Sequence, residues 1–487
     1  MDNHRNSAVL HRNLNAQFLS LARGRGIYLE LKNGLSVIDA SGGAAVACIG
    51  HGDQRVRDAI VEQLDKIAYC STLFYTSDVC EKLCQELVNS TNGYMSRAYI
   101  VSSGKFHDGG TNDGTQVTDA LPKGSEAMEA SMKLARQYFL EKPHPEPHRT
   151  KFIARNMSYH GTTLGSLSMG GHVSRRAKFE PMLLNNISKV SRCFSYRDQG
   201  NKETNESYVA RLADELDKEF QRLGPKSVCA FVAEPVVGAA LGCVPAVRGY
   251  FKAVRAVCDK YGALLILDEV MCGMGRTGTL HAWEQEDVVP DIQTLGKCLG
   301  GGYQPIASVL VARKVVDILA DGSGAFMHGH TYQGHPIACA AALEVQRIIR
   351  DEQLLANVRQ MGELLSKRLA ESLQDHPNVG SIRGRGLFWG LEFVSNKTTK
   401  EPFPVAANVA MGLAELGLTK PYRIAIYPGT GTVDGVNGDH AIISPPYNIT
   451  AVEVEEVVEI MRRLVDDFFS GKVKALLLEV ARTTTTL

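Results

Sequence analysis

The sequence predicts an α/β protein with a mostly parallel sheet in a large domain and a smaller α+β domain. Between about residues 95 and 330, short apolar or β-branched runs alternate with amphipathic helical patterns. Apolar strands separated by helices are typical of a parallel sheet that is covered on both faces. Nearer the C-terminus, two long helical patterns flank a single strand, which is typical of an α+β unit.

The individual elements follow from these patterns in chain order. Near the N-terminus, Gly26–Ile38 predicts a hairpin that turns at Asn33-Gly34. The predicted strands of the large domain are Arg97–Val101, Lys151–Ala154, Val228–Ala233, Ala263–Leu267 and Ala307–Ala312, and its predicted helices are Ser125–Tyr138, Val209–Leu223 and Tyr250–Tyr261. The small domain is predicted to contain helix Leu354–Gln374, strand Gly386–Phe393 and helix Ala451–Phe469. We therefore expect an N-terminal segment 1–60 that packs with the small domain, a large domain 61–335 and a small domain 336–487.

Composition excludes several classes of protein. Charged residues make up 22% of the 487 residues and hydrophobic ones 44%, which indicates a globular rather than a disordered chain. The 53 basic and 53 acidic residues balance, so charge offers no argument for nucleic acid or an anionic membrane as partner. No apolar run approaches the ~18 residues that cross a bilayer. The eleven scattered cysteines include no CxxC pair, which favours a reducing, cytoplasmic location, with Cys80 and Cys84 as buried thiols.

Carboxylates close two of the predicted strands. Glu234 follows the run VCAFVA, and Asp268-Glu269 follow ALLIL. In an open α/β sheet the ligand binds beyond the carboxyl ends of the strands, so these acids are candidate site residues. Each of them also fits a helix-capping or ion-paired acid, because a buried carboxylate needs a cation or a donor in either case.

Gly273–Gly278 reads GMGRTG, a literal GxGxxG after a strand. The interpretation as a dinucleotide site is disfavoured, because no helical pattern follows and no acid stands about 20 residues further on. A Gly-rich loop around Lys297 occupies that place instead. A lysine among apolar and glycine residues is a usable amine nucleophile. A strand-end acid followed 29 positions later by such a lysine is the arrangement that a pyridoxal phosphate site requires.

Three segments carry a resemblance to a known family. LLILDEVMCGMGRTG, PDIQTLGKCLGGGYQPIA and HGHTYQGHPIACAAALE resemble the signature of class III aminotransferases, which are pyridoxal 5′-phosphate enzymes of fold type I. The similarity extends from ARGRGIYLELKNGLSVIDASGG to GDHAIISPPYNIT, nearly the whole chain. The resemblance implies a transaminase that takes a small-molecule amine donor and an oxo-acid acceptor, with the cofactor bound in the large domain.

The resemblance also implies roles for individual residues. Lys297 matches the lysine that forms the Schiff base with the cofactor, and Asp268 matches the partner of the pyridine nitrogen. Val270 matches the residue on the far face of the ring, and Tyr159, with His160 beside it, matches the aromatic residue that stacks on the near face.

Thr331 lies in the segment GHTYQGHP. It matches a threonine that reaches the phosphate of the partner subunit's cofactor, so the resemblance implies a homodimer with shared active sites. The nearby His328, His330 and His335 are accounted for by this motif, and we expect no metal site there.

The phosphate-binding turn departs from the family. Relatives run directly from strand to helix, as VSSGSEA would, whereas here residues 105–124 intervene. Gly124 and Ser125 still open the helix and are predicted to bind the phosphate through their amides. The hypothesis that the insertion is an unremoved intervening sequence would be rejected by transcripts that retain it.

The residues that would select the substrate differ from those of several relatives. Relatives that act on ornithine or GABA usually read EPIQGE, whereas Glu234-Pro-Val-Val-Gly lacks the second Glu and is similar to the ω-amino-acid:pyruvate branch. The usual arginine before the final SPP is missing, with Arg423 either a substitute or a solvated residue. Tyr69, Phe74 and Tyr75 either line the substrate pocket or are core aromatics. The alternative functions are a same-fold aminomutase or racemase, and an inactive homologue disrupted by the insertion.

Overall fold

The N-terminal part of the chain forms a small sheet. The computed structural model describes residues 8–11, 13–14, 18–102 and 124–473, so the predicted insertion lies outside the described residues except for Gly124. The first elements are strands β1 (Leu21–Arg25), β2 (Tyr28–Leu31) and β3 (Ser36–Asp39), followed by helices α1 (Gly42–Ala45), α2 (Gln54–Lys66) and α3 (Asp78–Asn89). The predicted hairpin is confirmed, because β2 and β3 pair antiparallel around a turn in which Gly34 has a φ of +83°.

A seven-stranded sheet forms the centre of the molecule. The next strands are β4 (Met95–Val101), β5 (Lys151–Arg155), β6 (Ile187–Val190), β7 (Val228–Ala233), β8 (Val236–Val237), β9 (Val244–Pro245), β10 (Leu264–Asp268), β11 (Ile292–Leu295) and β12 (Ala307–Ala312). β8 and β9 form a separate hairpin, and the others are ordered β4-β12-β11-β10-β7-β5-β6. Only β12 runs opposite to the other six strands, which confirms the mostly parallel sheet.

Helices cover both faces of this sheet. The helices between β4 and residue 321 are α4 (Ser125–Glu141), α5 (Leu164–Met169), α6 (Val173–Arg176), α7 (Ser195–Asp198), α8 (Asn205–Leu223), α9 (Tyr250–Tyr261) and α10 (Arg313–Asp321), of which α4, α8, α9 and α10 pack on the sheet. Along β7, Phe231 and Ala233 pack in a cluster with residues of α8 and α9, whereas Ala230 and Val232 pack in a cluster with residues of α4 and α10. Alternate residues are therefore buried on opposite faces, which is why the strand reads as an uninterrupted apolar run.

The C-terminal part has an α+β arrangement. Its elements are α11 (Pro336–Asp351), α12 (Leu354–Leu373), β13 (Val379–Arg385), β14 (Phe388–Phe393), α13 (Val409–Gly417), β15 (Ile424–Ala425), β16 (Tyr427–Thr430), β17 (Asp439–Ile443) and α14 (Ala451–Phe468), which continues into a π-helical turn, Phe469–Val473. β13, β14, β17 and β16 form an antiparallel sheet, and β15 pairs parallel with β3. This pairing joins the two ends of the chain, while the division into domains stays a prediction.

Two segments of the central sheet were not predicted as strands. β6 and β11 have four residues each, and β6 is mostly half-buried, so neither carries a long apolar pattern. The segment after GMGRTG forms a 3-10 turn, Ala282–Glu286, before β11, which agrees with the expectation that no helix follows the motif directly. In the described part of the chain, none of the helices has the length and apolar content needed to cross a membrane.

Candidate active site

The carboxyl ends of three neighbouring strands meet at one point of the central sheet. β7, β10 and β11 are adjacent and parallel, so Asp268, the last residue of β10, pairs in register with Thr294 of β11. Asp268 Oδ1 accepts hydrogen bonds from Thr294 Oγ1 at 3.0 Å and from the amide of Val270 at 3.1 Å. The strand register therefore fixes the orientation of this buried carboxylate. Sequence reasoning did not single out Thr294, because its contact with Asp268 depends on which strands are neighbours.

His160 holds the other oxygen of the same carboxylate. Its Nδ1 lies 2.7 Å from Asp268 Oδ2, and its side chain is fully buried. Glu234, just beyond β7, accepts hydrogen bonds from the amides of Tyr159 and Gly238, each at 3.1 Å. Burial raises the pKa of Glu234, and the nearby Asp268 raises it further. The turn that carries Tyr159 and His160 is thus fastened to the ends of both β7 and β10.

Lys297 begins a 3-10 turn directly beyond β11. Its side chain is 7% exposed, and its φ of +44° is the left-handed conformation, which costs a non-glycine residue about 1–2 kcal/mol. The Lys297 carbonyl accepts hydrogen bonds from the amides of Gly300 and Gly301 at 3.1 and 3.0 Å, which hold this turn in place. Strained backbone of this kind is concentrated at functional sites.

Val270 links the lysine turn to the start of α4. A Cβ placed on Gly124 would lie 2.4 Å from Val270 Cγ2, and one on Gly296 would lie 3.2 Å from Val270 Cγ1. Ser125 Oγ accepts a hydrogen bond from the amide of Thr162 at 3.0 Å. The first amides of a helix have no intrahelical acceptor, so this end of α4 can bind an anion.

Tyr159, Thr331 and Arg423, the other candidates for the site, differ in their exposure and in their contacts. Tyr159 is half-buried, and the Cζ atom of Arg175 lies 4.3 Å from the centre of its ring. Thr331 is exposed, and its side chain makes no hydrogen bond to the residues that the structure describes. Arg423 is exposed, and its carbonyl accepts a hydrogen bond from the amide of Ile38, in the small N-terminal sheet. The structure therefore groups Tyr159 with the Asp268 cluster, but not Thr331 or Arg423.

The aromatic residues of the segment 69–75 are not core residues. Tyr69, Phe74 and Tyr75 are all exposed, so the alternative of core aromatics is wrong for the single chain. Tyr69 and Tyr75 line a cavity of about 740 Å³ that is formed with α2, α3 and α11. None of the predicted catalytic or cofactor-binding residues lines this cavity. Leu73 and Phe74 are more than 80% exposed, so the segment presents a large apolar surface.

The GMGRTG segment contacts the C-terminal part of the chain through Arg276. The Arg276 side chain is fully buried and donates hydrogen bonds to the carbonyls of Leu387 at 3.1 Å and Pro445 at 2.6 Å. Its guanidinium also lies 4.6 Å from the ring centre of Tyr447. The motif thus joins the end of β10 to the C-terminal part of the chain. Within the described ranges, no group of three or more His, Cys, Asp or Glu side chains is arranged to hold a metal ion.

Glu269 adjoins the cluster and faces away from Asp268. Its two oxygens accept hydrogen bonds from the amides of Ala282 and Trp283, each at 2.7 Å. Burial raises the pKa of Glu269 from 4.5 to about 8, because these amides only partly offset the desolvation of its charge. The folded state therefore holds this proton more tightly than the unfolded chain does.

This shift predicts a pH dependence of stability. The stability that the protonated Glu269 contributes is fully present below pH 4.5 and is lost as the pH rises towards about 8. Over that range, the free energy of unfolding should fall more steeply in the wild type than in Glu269→Gln, which cannot ionise. Urea denaturation at several pH values measures the difference, and identical slopes would contradict the prediction.

The chain is similar to known proteins over almost its whole length. The sequence model of the family "Aminotransferase class-III" matches residues 9–465. A protein of Gibberella zeae named "Aminotransferase" is 50% identical over 462 residues, which cover 95% of this chain and 86% of the relative. Gamma aminobutyrate transaminase 3 of Solanum lycopersicum is 32% identical, with 90% of this chain and 79% of the relative covered. The structure of the omega transaminase of Pseudomonas jessenii in complex with PMP is 31% identical, with a TM-score of 0.83 over 93% of each chain.

Proposed function

The chain belongs to the class III aminotransferases of fold type I, which use pyridoxal 5′-phosphate, and from this we propose that it transfers an amino group from an amine or ω-amino acid to an oxo acid such as pyruvate. The observation that carries the proposal is the buried Asp268 carboxylate, which three hydrogen bonds hold at the meeting point of β7, β10 and β11. A carboxylate fixed in this way is suited to holding a protonated ring nitrogen.

The residues of the site fit the cofactor. Each oxygen of an ionised carboxylate can accept about two hydrogen bonds, and the contact with His160 takes up one of them at Asp268 Oδ2. A second donor, such as the N–H of a pyridinium ring, can therefore bind at Oδ2. When bound, the cofactor supplies an electron-withdrawing ring that stabilises negative charge on the substrate carbon.

His160 and Thr294 orient the carboxylate in this proposal. With Asp268 ionised, the His160 ring has to carry its proton on Nδ1 in order to donate to Oδ2. Thr294 Oγ1 donates to Oδ1 from the neighbouring strand, so the carboxylate cannot rotate without losing a hydrogen bond. These two side chains are positioning residues for Asp268.

Lys297 carries out the proton transfer in this proposal. Its amine would hold the cofactor covalently. Its Nζ would move a proton from the substrate carbon that bears the amino group to the cofactor in the first half of the reaction, and from the cofactor to the carbonyl carbon of the oxo acid in the second half. Because the side chain is almost fully buried, water has little access to the base.

Four further residues are proposed to hold the cofactor. The amides of Gly124 and Ser125, at the start of α4, bind its phosphate. Tyr159 stacks on one face of the ring, where an aromatic side chain buries a large flat area, and Val270 packs on the other. The contacts of Val270 with Gly124 and Gly296 support this placement, because they bring the phosphate end and the lysine turn together.

We further infer that the active enzyme is a homodimer. The exposed apolar segment that contains Leu73, Phe74 and Tyr75 supports this, since such a surface on a single chain indicates a protein interface. Thr331 is exposed, as a residue that contacts the cofactor phosphate of a second subunit would have to be. All eleven cysteines are unpaired, which suits a reducing, cytoplasmic location.

The proposed function is tested by loading the protein with pyridoxal 5′-phosphate and offering a panel of ω-amino acids and amines with pyruvate. We expect alanine and the carbonyl product of at least one donor to appear in equal amounts. Isomerisation of a donor without pyruvate would instead indicate an aminomutase or racemase. Failure to bind the cofactor would indicate an inactive homologue.

Deleting residues 105–124 should strengthen cofactor binding. The deletion joins Gly104 to Ser125 and restores a direct run from strand to helix, so the helix amides are aimed by the strand itself. We expect the dissociation constant for pyridoxal 5′-phosphate to fall about tenfold, as ~1.4 kcal/mol of phosphate binding would produce. Absorbance titration of the wild type and of the deletion variant measures the difference. Weaker binding by a folded deletion variant would show that the segment contributes to the site.

A further inference from the structure

Arg175 lies beside the proposed active site, although sequence reasoning did not single it out. It belongs to the short helix α6, and its Cζ atom lies 4.3 Å from the ring centre of Tyr159. The amide of Tyr159 is bonded to Glu234, and the next residue, His160, is bonded to Asp268. Tyr159 is therefore in contact with this guanidinium through its ring and with the cluster at the strand ends through its backbone.

Helix α6 also contacts the C-terminal part of the chain. His172 Nε2, just before α6, lies 3.2 Å from the carbonyl oxygen of Thr430. A Cβ placed on Gly435 would lie 2.7 Å from Val173 Cβ, so the chain around residues 430–435 packs closely against α6. This chain leads into β17 and the segment before Ser444, where the sequence lacks the arginine expected to bind a substrate carboxylate. Arg175 thus reaches the site from the large domain, beside the segment from which that arginine is missing.

Two histidines lie near Arg175, and their charge states differ from that of the arginine. Burial, together with the nearby charge of Arg175, lowers the pKa of His172 to about 3. Burial also lowers the pKa of His440, with contributions from Arg383, His172 and Arg175. Both imidazoles are therefore neutral at physiological pH, whereas a guanidinium keeps its charge.

We propose that Arg175 binds the carboxylate of the oxo-acid acceptor and of amino-acid donors, an inference that rests on the proposed function. A planar guanidinium that lies over an aromatic ring is held through its flat face. The N–H groups of the guanidinium then point outward in the plane of the guanidinium. That plane is the direction in which a carboxylate binds with two parallel hydrogen bonds. Tyr159 then both packs on the cofactor ring and orients the arginine that selects substrates with a carboxylate.

The test compares two donors that differ in one group. 4-Aminobutyrate carries a carboxylate, and butylamine does not. The donor half-reaction is followed through the absorbance of the bound cofactor at increasing donor concentration, in the wild type, Arg175→Met and Arg175→Lys. Arg423→Met is the matched control, because Arg423 is the other arginine considered for this role.

We expect Arg175→Met to raise the half-saturating concentration of 4-aminobutyrate roughly 10- to 100-fold, the range for losing hydrogen bonds to a charged group. The value for butylamine should change less than about threefold, and Arg175→Lys should lie between the wild type and Arg175→Met because a lysine keeps the charge but not the paired donors. Arg423→Met should resemble the wild type. Equal effects on both donors, or a selective effect of Arg423→Met instead, would overturn the proposal.

A second measurement separates this inference from the proposed function. Valerate has a carboxylate and no amino group, so its binding to the cofactor-loaded protein by calorimetry requires no reaction. We expect Arg175→Met to weaken valerate binding by a factor similar to that for 4-aminobutyrate. If no donor reacts with the wild type, the proposed function fails and Arg175 is judged on valerate alone. Unchanged valerate binding by Arg175→Met, or no valerate binding by the wild type, would reject the role of Arg175.

Discussion

Replacement of Lys297 by alanine is expected to reduce amino-group transfer by roughly 10⁴-fold or more, the upper end of what a general base contributes alone. The loss is this large because the same amine has two tasks, the covalent attachment of the cofactor and the transfer of the substrate proton. The visible absorption of the lysine-bound cofactor should disappear as well. Steady-state transfer to pyruvate and the absorption spectrum of the purified protein measure the two effects.

Two further variants make this prediction specific. Lys297→Arg keeps a positive charge at the same position, but a guanidinium does not give up its proton at neutral pH, so we expect the same loss. Lys314→Ala removes a half-exposed lysine that pairs with Asp291, and its activity should stay near that of the wild type. Thermal unfolding checks that the variant proteins are folded. Substantial transfer by a folded Lys297→Ala protein would defeat the assignment of the base.

Asp268→Asn is expected to lower the rate of transfer roughly 10²- to 10³-fold, the range found when one preorganised electrostatic contact is removed. The amide keeps the size of the side chain but has no negative charge with which to hold a protonated ring nitrogen. It also replaces one of the oxygens that accept from Thr294 and His160 with an amide nitrogen that cannot accept. Binding of the cofactor should weaken together with the rate.

The matched control for this variant is Glu269→Gln, because Glu269 is the next residue and is equally buried. Its pKa of about 8 means that the carboxyl is already mostly protonated at neutral pH, so the amide is a mild change of charge. Losing one acceptor for the amides of Ala282 and Trp283 should cost about 1–3 kcal/mol of stability. The rate per folded molecule should change only slightly. A loss of rate in Glu269→Gln as large as that in Asp268→Asn would mean that the charge of Asp268 is not the cause.

The central sheet was predictable from sequence where its strands are long and buried. β7 and β12 have the predicted bounds, because each is a run of six residues that is apolar throughout, or apolar except for Ser308, and such a run leaves few alternatives. The reversed direction of β12 and the neighbour order β11-β10-β7 have no local signature. The contact between Thr294 and Asp268 therefore could not be predicted, although both residues lie in segments that resemble the family signature.

Some residues of the site could likewise be predicted from the sequence, and others could not. Lys297 and Asp268 stand out because their residue types and surroundings are unusual for the ends of buried strands. Arg175 lies in a four-residue helix within an ordinary polar run of the sequence. Only the fold brings this helix next to Tyr159 and the chain around Thr430. The exposure of Phe74 could not be predicted either. An aromatic residue among other aromatic residues also fits a core position, and only the fold shows that no other element of the described chain packs over Phe74.

The most direct test of the central claim follows the nitrogen atom itself. The cofactor-loaded protein is incubated with a ¹⁵N-labelled donor that it accepts and with unlabelled pyruvate, and the products are analysed by mass spectrometry. An aminotransferase that works through Lys297 and Asp268 yields ¹⁵N-alanine in an amount equal to the carbonyl product, and the Lys297→Ala protein yields none. Alanine without label, or label retained in an isomer of the donor, would contradict the account.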